Sequence, residues 1–124
     1  GARDEGAFEL IDNNFQPLVP RKLTAKNRIA VASSSHRDTK TDNWLSNHNV
    51  TRTIRAGSSL KFCFLASGKA DFYPRFGPTM EWDTAAGDAI LRAAGGMTYS
   101  SENIVFEYGK KDYKNPAFIA KAQT

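Results

Sequence analysis

An internal disulfide is excluded at once, because the 124 residues contain a single cysteine, Cys63. It stands in "LKFCFLAS", between aromatic neighbours on a helix-like stretch. It reads as a buried, reduced thiol of a cytosolic protein rather than as a nucleophile. No apolar run approaches the ~20 residues of a membrane span. The opening "GARDEGAFEL" lacks the basic-then-apolar layout of a signal peptide, so the expected location is the cytoplasm. A dense basic stripe interleaved with aromatics is also missing. The net charge is +4, but the basic residues are scattered, with only short clusters such as Arg21-Lys22 and Lys110-Lys111. That argues against a nucleic-acid polymer as partner and suits a small anionic ligand equally well. What remains is an ordinary globular composition, 40% apolar and 24% charged, in a chain long enough for one core and too short for two.

Along that chain extended and helical patterns alternate. "GAFELIDNNFQPLVPRKL" has short apolar patches broken by Asp12-Asn13-Asn14 and Pro17, as in a hairpin or two extended edges. "RIAVAS" alternates and runs into a serine cluster, and "DTKTDNWLSNHN" fits a short helix capped by Asp38 or Thr39. "VTRTIR" alternates again. Residues 58–67 and 83–94 are expected to be helices, the first stopped by Gly68 and the second by Gly95-Gly96. "ADFYPRFG" is extended, with Pro74 expected to bar it from a central ladder position. "MTYSSENIVFEYGKK" and "NPAFIAKAQ" supply a last extended pair, and "RIAVAS", "VTRTIR" and "FIAKA" should share one sheet. The fold class is therefore α/β, with strands and helices in layers.

Ligands in such folds gather beyond the carboxyl ends of strands, where helices begin. Three junctions carry polar groups: "SSSH" (33–36), "AGSSLK" (56–61) and "PTMEWD" (78–83). Ser58 and Lys61 share one face of a first helical turn and could bind phosphate; a serine cap beside a solvated lysine is the alternative. Asp83, near the start of the Ala-rich helix, could cap it through the helix dipole or supply a rigid carboxylate to Mg²⁺. Trp82 and the small residues after it suggest close packing that fixes the helix start. Glu81 should diverge from Asp83 and reads as a surface group or a support behind the site. His36 ends the serine cluster at a strand's carboxyl end, whereas His48 lies in a polar helix end and carries no role. Arg75 is either an exposed edge charge or a fork reaching a phosphate or a base.

With these residues in view, "GSSLKFCFLASGKADFYPRFGPTMEWDTAAGDAILRAAGG" (57–96) resembles the inositol monophosphatase superfamily. It is most similar to its 3′(2′),5′-bisphosphate nucleotidases of the CysQ type. "WDTAAG" matches the superfamily's W-D-x-A-[AG]-G signature, "SSSH" resembles the nucleotidase S-x-S-H, and "GSSLK" with "YPRFGPT" is closer to nucleotidases than to inositol phosphatases. The resemblance covers roughly residues 5 to 120 and ends on "NPAFIA". It implies a layered sugar-phosphatase fold, a mixed sheet flanked by helices, and a Mg²⁺-dependent phosphatase in which metal ions activate water for attack on phosphorus. Asp83 would be the catalytic carboxylate, binding metal and lying against substrate. His36, Ser58, Lys61 and Arg75 would contact the nucleotide, with Ser59 the alternative to its neighbour, and all five should line one surface.

One departure from the family pattern is large. Members run to about twice this length, and their other metal ligands come from a glutamate and an Asp-Pro-x-Asp-Gly-[ST] loop in the earlier half. This sequence has no Asp-Pro dipeptide and no clustered carboxylates upstream of Asp83. Residues 1–124 are thus expected to form a single domain, the C-terminal α/β part of the phosphatase, without the N-terminal metal-binding half. The expected substrate is adenosine 3′,5′-bisphosphate, which loses its 3′-phosphate, with the chain inactive alone. Inositol monophosphatase or fructose-1,6-bisphosphatase activity, or a non-catalytic nucleotide-binding module, are the competing expectations. Self-association through a face left exposed is expected, and peripheral membrane contact stays open.

Overall fold

The protein is described by a computed structural model over residues 1–33 and 38–123. It opens with a hairpin, β1 (Phe8–Ile11) and β2 (Asn14–Pro17), paired antiparallel. Asp12 and Asn13 at its tip have φ of 47° and 60°, the left-handed pair that a two-residue turn between right-twisted strands requires. The expected hairpin is present, but every residue of both strands is exposed.

The chain then builds a mixed five-stranded sheet. β3 (Arg28–Ala32) is followed by α1 (Thr39–Asn47), β4 (Val50–Arg55), α2 (Leu60–Ala66) and β5 (Phe72–Arg75). A short β6 (Thr79–Met80) leads into α3 (Glu81–Ala94), which returns as β7 (Met97–Ser100). β8 (Lys114–Asn115) pairs with β6, and β9 (Phe118–Lys121) closes the sheet in the order β4-β3-β5-β9-β7. β3 lies parallel to β4 and β5, and β9 runs antiparallel between β5 and β7. Parallel neighbours need a crossover rather than a tight turn, which α1 and α2 provide. "RIAVAS", "VTRTIR" and "FIAKA" share this sheet, and the two expected helices form.

Pro74 corrects one expectation. β5 is the third of five strands, not an edge. The proline is tolerated because the β3 ladder touches β5 only at Ala30↔Phe72, so it ends before position 74. On the other side β9 pairs along the whole of β5, with Pro74 opposite Ile119. In an antiparallel ladder alternate residues turn their N–H away from the partner, and one such position can lack its donor without loss.

Period-two alternation divides the core between the sheet's faces. Val31, Tyr73 and Phe118 point to one face and pack with Phe62 and Leu65 of α2 and Leu91 of α3. Their neighbours Ala30, Phe72 and Ile119 point to the other and meet Leu45 and Trp44 of α1. Cys63, expected to be buried, is half-buried instead: it lies on the outer side of α2 beside Phe8 and Leu18. Burial still pushes its thiol up, with Glu9 adding to the effect, which makes it a poor nucleophile at neutral pH.

Candidate functional site

α2 and α3 start side by side because α3 carries a glycine where they touch. A Cβ at Gly87 would lie 2.6 Å from Phe62 Cδ2 and 3.0 Å from its Cβ. Only glycine allows that approach. Of the small residues expected to pack closely, Gly87 alone does so: Ala85, Ala86 and Ala89 are exposed, and Trp82 does not take part either. It is 69% exposed, with its ring centre 6.3 Å from that of Tyr113.

The start of α3 is fixed from behind by polar groups. Glu81, expected to be a surface or supporting residue, is buried. It accepts hydrogen bonds from the backbone N–H groups of Gly109 (3.1 Å) and Lys110 (2.9 Å) and pairs with Lys110 Nζ at 2.7 Å. The Lys110 side chain, then these N–H groups, hold its carboxyl down at about 2. Asn115 donates its amide to Met80 O at 2.8 Å and to the hydroxyls of Thr79 and Thr84, both at 3.1 Å. One turn on, buried Asp88 accepts from Thr98 at 2.6 Å and Tyr108 at 3.0 Å and pairs with Arg92 at 2.9 Å. Sequence reasoning missed Asn115 and Asp88 entirely. Asn115 lies in "NPAFIA", a stretch with no signal beyond its strand pattern, and Asp88 is one more polar residue in a helix.

In front of this support lies a cleft of about 280 Å³, lined among others by Ser58, Lys61, Tyr73, Arg75, Thr79 and Asp83. Four of the five residues singled out in the sequence therefore share one surface. The fifth, His36, lies outside the described residues. Ser33, which leads into that segment, lines the same cleft.

Each group has a defined environment. Lys61 is 4% exposed, which disposes of the solvated-lysine alternative. Its ammonium donates to Ser58 O at 3.1 Å and lies 5.0 Å from the centre of the Tyr73 ring. No carboxylate among the described residues forms an ion pair with it. Burial, then the neighbouring Arg75 guanidinium, push the lysine below its ordinary value. Ser58 does not cap α2; Ser59 holds that position and makes no side-chain cap. Ser58 instead adopts φ 51°, a left-handed conformation uncommon for serine, which turns its carbonyl toward Lys61. Arg75 bonds Pro78 O through Nη2 at 3.4 Å, while its buried Nε has no partner. Tyr73, which the sequence did not single out, is pushed up to about 12, chiefly by burial. It remains a hydroxyl donor across the neutral range.

Asp83 is exposed at the mouth of α3. Its Oδ2 accepts from the N–H of Met80 at 2.8 Å, so the capping role is realised. The other oxygen is left for the cleft. Two cations, one of them buried and unpaired, thus face a single carboxylate. That balance favours a ligand with more than one negative charge. It does not make a metal centre: no group of three or more His, Cys, Asp or Glu able to hold a metal ion is found among the described residues. Asp83 fits one ligand of a cation whose other ligands are not in this cleft.

The whole chain, residues 1–124, matches the model of the inositol monophosphatase family. It is 42% identical over 95 residues to the 3′(2′),5′-bisphosphate nucleotidase CysQ of Salmonella typhimurium, covering 76% of this chain and 39% of that protein. It is 54% identical over 83 residues to an uncharacterized protein in the pss 5′ region of Rhizobium leguminosarum bv. phaseoli, covering 62% of this chain and 87% of that one. Among solved structures, CysQ from Bacteroides thetaiotaomicron superposes with a TM-score of 0.76 at 43% identity, covering 89% of this chain and 42% of that chain. The chain thus spans about two fifths of the length of the CysQ proteins it matches. With the signature at Trp82-Asp83 and the mixed sheet now joined to this match, the chain belongs to the inositol monophosphatase family.

Proposed function

We propose that this chain is the nucleotide-recognising part of a phosphatase that removes the 3′-phosphate from adenosine 3′,5′-bisphosphate. One observation carries the reading: a buried ammonium without a carboxylate partner, Lys61, opens on the cleft that Arg75, Ser58 and Asp83 share. A phosphate there would supply the missing counter-charge, with Lys61 as a point charge, Arg75 as a planar fork and the Tyr73 hydroxyl as a neutral donor. His36 is proposed as a further contact to the nucleotide. Asp83 would lend one oxygen to Mg²⁺, which would need further ligands that this cleft does not supply. Similarity to CysQ favours a nucleotide bisphosphate over inositol or fructose phosphates.

The test uses the longest natural polypeptide that contains this chain. Asp83→Asn should abolish most phosphate release from adenosine 3′,5′-bisphosphate and leave the circular dichroism spectrum intact, since a hard cation depends on anionic oxygen. Near-normal turnover in that variant rejects Asp83 as a metal ligand. Faster turnover of inositol or fructose phosphates would move the assignment to those substrates.

A second reading rests on the single carboxylate in the cleft: the 124 residues alone act as an anion-binding module without turnover. Incubating the purified chain with adenosine 3′,5′-bisphosphate and Mg²⁺ should give binding and no phosphate. Phosphate release by the chain alone would overturn this.

A further inference from the structure

A larger cavity, about 490 Å³, lies away from the cleft on the face of the sheet that α1 covers. β5 shows the separation: Phe72, at its start, lines this cavity, and Arg75, at its end, lines the cleft. Likewise Arg28 at the start of β3 belongs to the cavity, and Ser33 just past its end to the cleft. The proposed phosphatase chemistry makes no use of this second site.

Its walls are aromatic. Trp44 of α1 and His48, which caps its C-terminus four residues on, stack with ring centres 3.9 Å apart and planes 13° from parallel. Phe72 meets Trp44 edge-on at 5.3 Å, and Tyr99 of β7 also lines the cavity. The charge is of one sign: Arg28 and Lys121 line the cavity, and no aspartate or glutamate does. Lys121 Nζ lies 4.7 Å from the centre of the Tyr99 ring and forms no ion pair among the described residues. Arg28 spends Nε on Thr24 O and Nη1 on His48 O, both near 3 Å. It thereby satisfies the carbonyl end of α1, which would otherwise repel an anion. Its Nη2 has no such partner among the described residues. The ring of His48 is oriented as well, with Nδ1 2.8 Å from Trp44 O.

Aromatic surface beside an unpaired ammonium is the chemistry of a site for flat, acidic molecules, in which the ring stacks and the acid meets the cation. We infer that this cavity binds a planar aromatic ring carrying an anionic group, of the class of a nucleoside monophosphate or an aryl carboxylate. Ring and charge are both required, because neither the aromatic walls nor Lys121 alone makes a deep site.

The chain contains two tryptophans, so Trp82→Phe, at an exposed position, leaves Trp44 as the only indole reporter. Adenosine 5′-monophosphate and 2-naphthoate represent the two ligand sources; adenosine and inorganic phosphate are the ring-only and charge-only controls. Saturable change in Trp44 emission is expected with one or both of the first two, and a much weaker response with the controls. The stronger of the two names the source. Lys121→Gln, which keeps the aliphatic stem against Tyr99, should weaken that binding about tenfold by removing one charge-assisted contact. Lys61→Met, in the cleft, should leave it unchanged. The inference fails if neither compound gives a saturable change, if a control binds as well as they do, or if Lys61→Met weakens the signal and Lys121→Gln does not. Turnover plays no part in the readout, so the outcome is independent of the phosphatase reading.

Discussion

Lys61→Met separates a binding role from a structural one because the two roles predict opposite signs for stability. Lys61 is 4% exposed, and taking an ammonium out of water costs several kcal/mol even after relaxation. Against this stand one hydrogen bond to Ser58 O at 3.1 Å and the Tyr73 ring at 5.0 Å, together about 3–4 kcal/mol. Methionine has nearly the same length and no charge to desolvate, so the variant should be more stable than the parent by about 1 kcal/mol, or about 3 °C in Tm. Anion binding should move the other way. Loss of one charge-assisted contact costs about 1.5–3 kcal/mol, a fall of about 10- to 150-fold in affinity for adenosine 3′,5′-bisphosphate. Urea denaturation and titration calorimetry on the same preparations read the two quantities. The pH dependence has a definite sign. The folded pKa of Lys61 is lowered, so the unfolded chain holds this proton more tightly. The lysine destabilises the fold below the depressed value, and that cost is relieved as pH rises from there toward 10.5. Lys61→Met should remove this alkaline rise. A variant that is less stable than the parent and binds the bisphosphate equally well would refute the reasoning.

Other perturbations probe the support around the cleft. Glu81 has a folded value of about 2 against 4.5 for the free group, so it stabilises the fold above pH 4.5 and loses that contribution as pH falls toward 2; Glu81→Gln should flatten the acid limb of a pH–stability curve in that window. Gly87→Ala places a methyl 2.6 Å from Phe62 Cδ2. Overpacking of about 1–3 kcal/mol should offset the ~1 kcal/mol gain in helix propensity, giving a net loss of up to about 2 kcal/mol in urea denaturation. Gly57→Ala, which meets nothing within 4 Å, is the control and should stay within about 0.5 kcal/mol. Leu10 and Phe15 are 58% and 74% exposed and directly opposed on the hairpin. The purified chain should therefore self-associate through this face, and the double variant Leu10→Lys, Phe15→Lys should sediment as a monomer; unchanged sedimentation would place the contact elsewhere.

Residues whose roles are local were legible in the sequence. "RIAVAS" and "FIAKA" were legible as strands because each is a short, nearly continuous apolar run, which is what a strand covered on both faces of a sheet requires. Gly95 ended α3 with φ 105°, as its place after the last apolar residue suggested. Pro74 misled because its cost depends on whether a neighbour needs the missing donor, and that is set by how far β3 extends. Glu81 read as either a surface group or a support behind the site, and the choice stayed open for a similar reason: its partners at 109–110 lie 28 and 29 residues away, beyond any spacing rule. The burial of Lys61 was equally invisible. Three residues after a serine, a lysine at a helix start is as often solvated as enclosed, and only the packing of α2 on β5 and α3 decides which.

The start of α3 is where these strands of argument meet. Asp83 does two things with one side chain: Oδ2 closes the turn on Met80 N at 2.8 Å, and the other oxygen is left for the cleft. A carboxylate that is spent on its own backbone cannot swing, so its free oxygen is positioned by the helix rather than by a ligand. Glu81 and Asn115 hold that helix from behind through contacts to 109–110 and to Met80, while Gly87 sets how near α2 can bring Lys61. The cation and the carboxylate are therefore fixed on two helices whose separation is decided by a missing methyl group. Such rigidity suits a site that must hold a highly charged ligand against one fixed oxygen without collapsing into a Lys61–Asp83 ion pair. In a cleft with one carboxylate, that collapse would consume the acidic group and leave Arg75 alone to meet the phosphate. Keeping the two apart is what makes the same residues useful as a recognition surface, whether or not further carboxylates arrive to complete the chemistry.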